Sequence, residues 1–179
     1  GIYHSADGGK SWKNKGLKNS EHLSKIIVHP NDPNTVWVAS QGPLWSSGGE
    51  RGLYKSTDGG KTWNNTLEID EWTGVTDLLI DPRNPDVLYC ASWQRHRNVA
   101  SYIGGGPGTS IYKSTDGGDS WTKINKGLPS SNMGKIGLAI SPINPDVVYA
   151  AVETERRKGA VYRSANAGSS WKKIEEIRK

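Results

Sequence analysis

The segment WQRHRNVASYIGGGPGT, residues 93–109, concentrates aromatic and basic side chains that could bind a ligand. Indole and phenol rings stack on sugars or peptides, and guanidinium groups form forked hydrogen bonds with carboxylates or phosphates. We therefore predict a ligand-binding role for this segment. The alternative is a long loop that packs on a neighbouring element and leaves its arginines solvated. The residues that carry the prediction are Trp93, Arg95, His96, Arg97 and Tyr102.

Asp70 and Glu71 are the candidates for acid or base chemistry. Hydrolysis of a glycosidic bond needs two carboxyl groups at a defined separation, whereas these two are neighbours in the sequence. Adjacent acids on a loop are commonly solvated charge, and spacing along the chain identifies no partner carboxylate for either one. The sequence therefore leaves the catalytic residues unassigned, with Asp70 and Glu71 as the residues to test.

Metal, cofactor, nucleic-acid and membrane functions find no support in the sequence. The four histidines lack metal-ligand spacing, GGKS and GGKT lack the earlier glycine of a phosphate-binding loop, and no apolar stretch is long enough to cross a bilayer. The 23 basic residues outnumber the 18 acidic ones, giving a formal net charge of +5, but they are scattered and accompany no nucleic-acid-binding motif. We expect no metal, no cofactor, no nucleic-acid partner and no membrane span.

The candidate residues lie between copies of a repeated motif. The sequence contains GIYHSADGGKSW, GLYKSTDGGKTW, SIYKSTDGGDSW and AVYRSANAGSSW, whose final tryptophans are spaced by 51, 58 and 50 residues. Periods of this length are typical of β-propeller blades. Between the copies a second pattern recurs, strand, proline-containing turn and strand, as in DLLIDPRNPDVLYCAS. Each repeat therefore predicts four strands, which we label A to D from the propeller axis outward.

The predicted fold is all-β: a β-propeller of four-stranded antiparallel blades with about three and a half blades in a partial ring. Residues 1–179 form a single propeller segment. A half blade with strands C and D occupies 1–14, and whole blades occupy 23–66, 75–125 and 135–177. We expect the chain to be a piece of a larger propeller, whose ring is closed by remaining blades of the same polypeptide or by a second copy.

The motif S-x-D-x-G-x-[S/T]-W predicts structural roles for its residues. Serine and aspartate side chains should hydrogen-bond the amides of the turn between strands C and D, glycine should adopt a left-handed conformation, and tryptophan should pack between the turn and its blade. Asn166 and Ala167 replace the aspartate and the first glycine of the last copy, so we expect a weaker turn there. The residues assigned to the motif are Ser5, Asp7, Gly9, Trp12, Ser56, Asp58, Gly60, Trp63, Ser114, Asp116, Gly118, Trp121, Ser164, Asn166, Gly168 and Trp171.

The repeated motif resembles the Asp-box or BNR repeat. The combination of STDGGKTW with DPRNPDVLY is most similar to the sortilin-like and glycosyl-hydrolase-like bacterial BNR repeat proteins, and the resemblance covers essentially the whole chain. In such families the boxes lie away from the binding face and occur in enzymes and non-enzymes alike. The resemblance implies an extracellular, periplasmic or cell-surface location.

The loops between strands are where we expect function. Alternating strand direction places the Asp boxes and proline turns on one face and the B-to-C and D-to-A loops on the other, which carries the length variation. We call this second side the variable-loop face. The prediction is a non-catalytic scaffold or binding module that recognises a glycan or protein there. The alternative is a segment of a glycoside hydrolase, xyloglucanase-like or sialidase-like, with carboxylate acid/base catalysis, although Arg95, Arg97, Arg156 and Arg157 match no sialidase arginine context.

Overall fold

The computed structural model describes residues 1–155 and 158–178, which form strands, turns and loops without a helix. Arg156 and Arg157, from the third B-to-C loop, lie outside the described residues. The strands are β1 (Tyr3–His4), β2 (Lys13–Asn14), β3 (Leu23–His29), β4 (Asp32–Ser40), β5 (Gly52–Ser56), β6 (Asn64–Leu67), β7 (Thr73–Asp81), β8 (Asn84–Gln94), β9 (His96–Arg97), β10 (Tyr102–Ile103), β11 (Ile111–Ser114), β12 (Thr122–Lys123), β13 (Met133–Ile140), β14 (Val148–Thr154), β15 (Lys158–Ser164) and β16 (Lys172–Arg178).

Three four-stranded antiparallel sheets follow one another along the chain. The first contains β3, β4, β5 and β6, the second β7, β8, β11 and β12, and the third β13, β14, β15 and β16, each in that spatial order. Strands β1 and β2 pair as a separate two-stranded hairpin before the first sheet, and β9 pairs with β10 in the segment that connects β8 to β11, the two middle strands of the second blade. The prediction of an all-β chain with four-stranded antiparallel blades is confirmed.

The hydrophobic core lies between successive blades. An aromatic residue of strand B, which is β4 in the first whole blade and β8 in the second, bonds to the Asp-box turn of the following blade. Trp37 Nε1 donates to the Gly117 carbonyl at 2.9 Å, and the Tyr89 hydroxyl donates to the Ala167 carbonyl at 3.2 Å. Burying each such side chain contributes roughly 1.5–3 kcal/mol, so the blades stabilise one another. The first and second whole blades share a cluster that includes Trp37, Leu53, Val75, Leu78 and Leu88. The second and third share a cluster that includes Tyr89, Ile111, Ile136, Val148 and Trp171.

The Asp-box turns are held by their own side chains. Ser56 Oγ accepts a hydrogen bond from the Gly60 amide at 2.9 Å and donates one to Asp58 Oδ1 at 2.8 Å. Asp58 also accepts from the amides of Lys61 and Thr62, at 2.9 and 3.0 Å, and from the Thr62 hydroxyl at 2.7 Å. These bonds, led by that from the Thr62 amide, hold the pKa of Asp58 well below its usual range.

The first and third boxes repeat this geometry. Hydrogen bonds from Ser11, through its hydroxyl and then its amide, lower the pKa of Asp7 to about 2, and the corresponding bonds from Ser120 hold the pKa of Asp116 well below its usual range. Ser5 and Ser114 donate to these aspartates at 2.8 and 2.7 Å. A serine, an aspartate, a glycine and a second hydroxyl residue, serine or threonine, therefore build the same turn three times.

The fourth box keeps the hydrogen-bond pattern with an amide in place of a carboxylate. Asn166 Oδ1 accepts from the Ser164 hydroxyl at 2.9 Å and from the Ser170 amide at 3.0 Å, and Asn166 Nδ2 donates to the Ser170 hydroxyl at 2.9 Å. Ala167 has φ of 52°, a left-handed conformation that costs a residue with a Cβ roughly 1–2 kcal/mol. The backbone conformation of Ala167, rather than lost hydrogen bonds, is the physical basis for a weaker turn.

Asp58 provides a test of this chemistry through acid stability. Its folded pKa lies below that of the unfolded chain, so its stabilising effect is present above about pH 4 and is lost as the pH falls through the lowered pKa. We expect Asp58→Ala to lower the melting temperature at neutral pH, with ligand affinity unchanged. Asp58→Asn should be more stable than Asp58→Ala, because Asn166 shows that an amide makes the same hydrogen bonds in the fourth box. Because it lacks the Asp58 carboxylate, Asp58→Asn should also bind up to one proton fewer than the wild-type protein when it unfolds in acid. Thermal melts between about pH 2 and 7 measure both effects. Equal losses for the two variants at neutral pH would contradict the assignment.

Trp63 and Trp121 pack against a glycine of their own turn, in line with the prediction, but the box tryptophans have a second role that the sequence does not show, because three of them also reach back to the preceding hairpin or blade. In each of these tryptophan hydrogen bonds to an earlier segment, the residue that accepts the bond lies three positions after the tryptophan of the preceding Asp box. Trp171 is 5% exposed, whereas Trp12, in the first box, is 61% exposed and donates only to Gly9 of its own turn. The bonds run from Trp63 Nε1 to the Lys15 carbonyl at 2.6 Å, from Trp121 Nε1 to Thr66 Oγ1 at 3.3 Å, and from Trp171 Nε1 to the Ile124 carbonyl at 2.7 Å. Trp121 Nε1 is shared, since it also donates to the Gly118 carbonyl of its own turn at 3.2 Å.

The Asp boxes and the proline turns share one face of the molecule, because in each of the three whole blades an amide of the box turn donates to a carbonyl of the proline turn. The loops between strands B and C, and between successive blades, therefore lie on the opposite side. The three bonds, each 2.9 Å long, run from Gly59 to Asn34, from Gly117 to Asp86 and from Ala167 to Asp146.

Candidate functional site

The first loop of the variable-loop face, residues 41–51, is built around Arg51. This side chain is 3% exposed. A residue with a Cβ at Gly42, where φ is 70°, would collide with the Arg51 side chain. The loop is thus held in one conformation and presents Trp45, which is 60% exposed. Arg51 Nη1 donates to the carbonyls of Gln41 at 2.7 Å and Trp72 at 3.4 Å, and Nη2 donates to those of Ser46 at 2.8 Å and Pro43.

The segment 93–109 is more ordered than a simple loop. Trp93 extends strand β8 by pairing with Gly74 of β7. The next residues form the β9–β10 hairpin, in which Arg97 is paired with Tyr102. The Arg97 amide also donates to the Leu44 carbonyl at 3.0 Å, which joins the hairpin to the loop at 41–51.

The glycines at 104–108, which the sequence favours as a flexible hairpin tip, pack tightly instead. The Gly106 amide donates to the Met133 carbonyl at 3.1 Å, and the Gly108 amide donates to Gln94 Oε1 at 3.0 Å. A Cβ at Gly105 would lie 2.6 Å from the Met133 carbonyl oxygen. Glycine is required here because the backbone touches the first strand of the third blade.

Six side chains from three blades form an alternating series of cations and rings, which we call the cation–aromatic row. Guanidinium and ammonium groups over aromatic faces attract one another electrostatically. The two halves meet at Gly104, whose carbonyl accepts a hydrogen bond from Trp93 Nε1 at 2.9 Å and against which the Tyr102 ring packs. One half has Lys135 Nζ 5.6 Å and Arg95 Cζ 5.4 Å from the Trp93 ring centroid, and the other has Arg97 Cζ 5.5 Å from the Trp45 centroid and 5.9 Å from the Tyr102 centroid.

The row contains four of the five residues that the sequence nominates. The fifth, His96, stacks instead on Trp72, with ring centroids 4.1 Å apart. The sequence reasoning missed Trp45 and Lys135. Trp45 could have been found as a tryptophan in a glycine-rich B-to-C loop, but Lys135 lies in the first strand of the next blade and carries no sequence signal.

Arg95 is the unusual member of the row, because it is 7% exposed. It donates one hydrogen bond, from Nη2 to the Gly42 carbonyl at 3.0 Å, and its buried Nε has no hydrogen-bond partner. Burial lowers the pKa of Arg95, and electrostatic interactions with Tyr102 and then Glu21 oppose that shift. Burial and then the charge of Arg95 lower the pKa of Arg51, whose Nε is also buried without a partner.

Asp70 and Glu71 lie in the connection from the first whole blade to the second. Asp70 Oδ1 accepts from the Trp72 amide at 2.8 Å and Oδ2 accepts from the Thr73 hydroxyl at 2.7 Å. Both of its carboxylate oxygens therefore hold its own turn. Glu71 is exposed, and its carbonyl accepts a hydrogen bond from the Gly48 amide at 2.8 Å.

An open groove of ≈ 390 Å³ runs beside the row. Tyr102 and Glu153 both line the groove, and Glu153 Oε2 accepts a hydrogen bond from the Lys135 amide at 3.3 Å. Over the described residues, no cluster of histidine, cysteine, aspartate and glutamate side chains could hold a metal ion. Within the same ranges, no helix is long and apolar enough to cross a membrane.

Sequentially packed four-stranded blades, each with an Asp-box turn, define this molecule as an Asp-box β-propeller segment. A family model described as "Sortilin, neurotensin receptor 3" (Sortilin-Vps10) matches residues 1–105. Because the match covers more than half of the chain, the chain belongs to the Sortilin-Vps10 family.

Curated relatives and solved structures place the chain near glycoside hydrolase propellers. A Neosartorya fischeri protein described as "Probable oligoxyloglucan-reducing end-specific xyloglucanase" is 30% identical over 113 residues, which cover 61% of this chain and 11% of that protein. Xyloglucanase Xgh74A of Acetivibrio thermocellus is 28% identical over 143 residues, covering 69% and 14%. The crystal structure of an ancestral GH74 enzyme superposes with a TM-score of 0.74 at 22% identity, covering 97% of this chain and 21% of that one. The propeller fold is thus confirmed, and the chain spans a small part of each of these three proteins.

Proposed function

We propose that this segment binds a glycan through the variable-loop face without hydrolysing it. The observation that carries the proposal is the pair of exposed rings, Trp45 and Tyr102, on either side of Arg97. They are 60% and 51% exposed. Exposed aromatic rings offer flat apolar faces to sugar rings, while the polar groups around them accept and donate hydrogen bonds to hydroxyls.

The rigidity of the platform supports a binding role. Arg51 fixes the loop that carries Trp45, and strand pairing fixes Arg97 against Tyr102. A ligand that binds there orders few additional side chains, so little of the interaction energy is lost to entropy. The groove beside Tyr102 extends the platform by a length of open surface that a chain of sugar units could follow.

The contacts of Asp70 and Glu71 argue against catalysis by this pair. A general acid must be free to give up a proton to the leaving group, and the nucleophile or base must reach the sugar from a defined distance. Asp70 has both oxygens engaged in its turn. The relation to xyloglucanases favours, as the second candidate, a segment that contributes loops to a glycoside hydrolase site completed elsewhere.

Trp45→Ala is expected to weaken glycan binding about tenfold or more. A nucleic-acid base stacked on an aromatic side chain gains roughly 1–3 kcal/mol, and we expect a sugar ring stacked on Trp45 to gain a comparable amount. Isothermal titration with a panel of cell-wall oligosaccharides that begins with xyloglucan fragments measures the effect. Trp12→Ala is the matched control, since Trp12 is 61% exposed but lies in a box turn on the other face.

Two results would overturn the proposal. Equal affinities in the two tryptophan variants would remove the platform from the binding site, and a panel without any binding glycan would leave a protein ligand as the better explanation. Release of reducing sugar that disappears in Glu71→Gln would establish the hydrolase alternative. As part of the proposal, we place the protein outside the cytoplasm, where cell-wall and secreted glycans occur.

A further inference from the structure

The three cations of the cation–aromatic row form no ion pair with the described part of the chain. No described carboxylate lies within ion-pair distance of Arg95, Arg97 or Lys135. Arg83, by contrast, is half exposed and pairs with two acids, since its Nη2 lies 2.8 Å from a carboxylate oxygen of Asp81 and 2.8 Å from one of Asp146. Exposed lysines on the Asp-box face, such as Lys61, also have no ion pair among the described residues, so the distinguishing feature of the row is that its unpaired cations lie beside aromatic rings.

Arg95 makes the charge costly as well as unpaired. A charged group that is removed from water is destabilising unless it gains a partner charge and hydrogen bonds. Arg95 is 7% exposed, has one hydrogen bond and an orphaned Nε, and lies close enough to a second buried guanidinium, that of Arg51, to affect its pKa. Buried groups without partners concentrate at functional sites, where a ligand supplies what the protein omits.

We propose that the cation–aromatic row binds the carboxylate of an acidic sugar, so that the glycan recognised by this face is an acidic polysaccharide. This inference rests on the proposed function and adds the chemical class of the ligand. A uronic acid carries its carboxylate on the sugar ring itself. A sugar ring stacked on Tyr102 or Trp93 therefore brings the carboxylate to the guanidinium or ammonium group beside that ring.

The alternation of rings and cations favours a sugar acid over a simple anion. Inorganic phosphate has charge but no flat face, so a phosphate site would not need aromatic side chains between its cations. A neutral glucan would use the rings and leave the charges unpaired. Only a ligand with both a ring and a negative group uses both parts of the row.

The charge distribution also orients the ligand. Glu153 and Glu155 also line the groove next to Tyr102. These carboxylates would repel an acidic unit, so neutral sugar units fit the groove, and the acidic unit lies over Trp93, Arg95 and Arg97. The proposed ligand is therefore a chain with acidic units at intervals or at one end.

The test compares a short oligogalacturonate with its methyl ester, which is neutral and otherwise the same. We expect the acid to bind about tenfold more tightly than the ester at low salt, and the preference to shrink as salt is raised. Lys135→Gln and Arg97→Gln should each reduce the affinity for the acid roughly two- to fivefold, with a smaller effect on the ester. Lys61→Gln, which removes an exposed lysine from the Asp-box face, is the matched control.

The outcomes separate this inference from the proposed function. If acid and ester bind equally, or if only neutral glycans bind, the inference fails and the proposed function stands. If neither these nor other glycans bind, the proposed function fails as well. Displacement of the acid by inorganic phosphate at equal concentration would overturn the sugar-acid assignment in favour of a simple anion site, and loss of binding in Lys61→Gln would place the anion on the other face.

Discussion

Trp171→Ala is expected to lower the free energy of unfolding by about 3–5 kcal/mol, the range for truncation of a large buried aromatic residue. The indole is 5% exposed, belongs to the core between the second and third blades, and donates a hydrogen bond to the Ile124 carbonyl. Its loss leaves a cavity between two blades and an unpaired carbonyl. Chemical denaturation followed by circular dichroism measures the change.

Trp12 supplies the control within the same motif. Its side chain is 61% exposed and donates only to its own turn, so Trp12→Ala should cost about 0.5 kcal/mol or less. The comparison distinguishes two accounts of the Asp-box tryptophan. If it stabilises its own turn, the two variants should lose similar stability. If it joins neighbouring blades, as the structure shows, only Trp171→Ala should be severely destabilised.

Arg51→Met is expected to destabilise the protein by about 3 kcal/mol or more, because hydrogen bonds to a charged group contribute roughly 1.5–3 kcal/mol each and several carbonyl groups lose their donor together. The change retains an apolar side chain of similar length but removes the donors to Gln41, Pro43 and Ser46. The loop at 41–51 should then lose protection in amide hydrogen exchange, and Trp45 should lose its fixed position. Glycan affinity should fall with it.

Arg97→Met is the matched variant on the same face. Arg97 is exposed, and its guanidinium lies over two aromatic rings without a hydrogen bond to the backbone of the described residues. We expect a stability change within about 0.5 kcal/mol and a loss of affinity nonetheless. Equal destabilisation of Arg51→Met and Arg97→Met would show that the loop does not depend on the buried guanidinium.

The parts of the fold that depend on local chemistry could be predicted from the sequence. Ser56, Asp58, Gly60 and their equivalents specify a turn within a few residues, so four copies at a regular spacing were sufficient to predict blades of four strands. The role of Trp171 was predicted only in part. Its burial follows from its size, but its partner, near Ile124, depends on how one blade packs on the next.

The candidate site could be predicted less fully, because its geometry depends on contacts between distant segments. Arg95 and Tyr102 were identified from their types, yet the row also requires Trp45 and Lys135, which come from neighbouring blades. The glycines at 104–108 were expected to be flexible, since the sequence does not show that Met133 lies against them. The turn that occupies Asp70 was likewise hidden, because it depends on where Thr73 begins a strand.

The bonds between blades have a consequence for how such a protein can change during evolution. Forward bonds from the strand B aromatic residues and backward bonds from the box tryptophans both end at or next to the Asp-box turns. The architecture is thus secured at one end of each blade, and the other end is free to acquire insertions of different length and new specificity. The segment at 93–109 is hydrogen-bonded to the loop at 41–51, through the Arg97 amide and the Arg95 side chain. Transfer of this recognition loop to another propeller would therefore require transfer of the neighbouring loop as well.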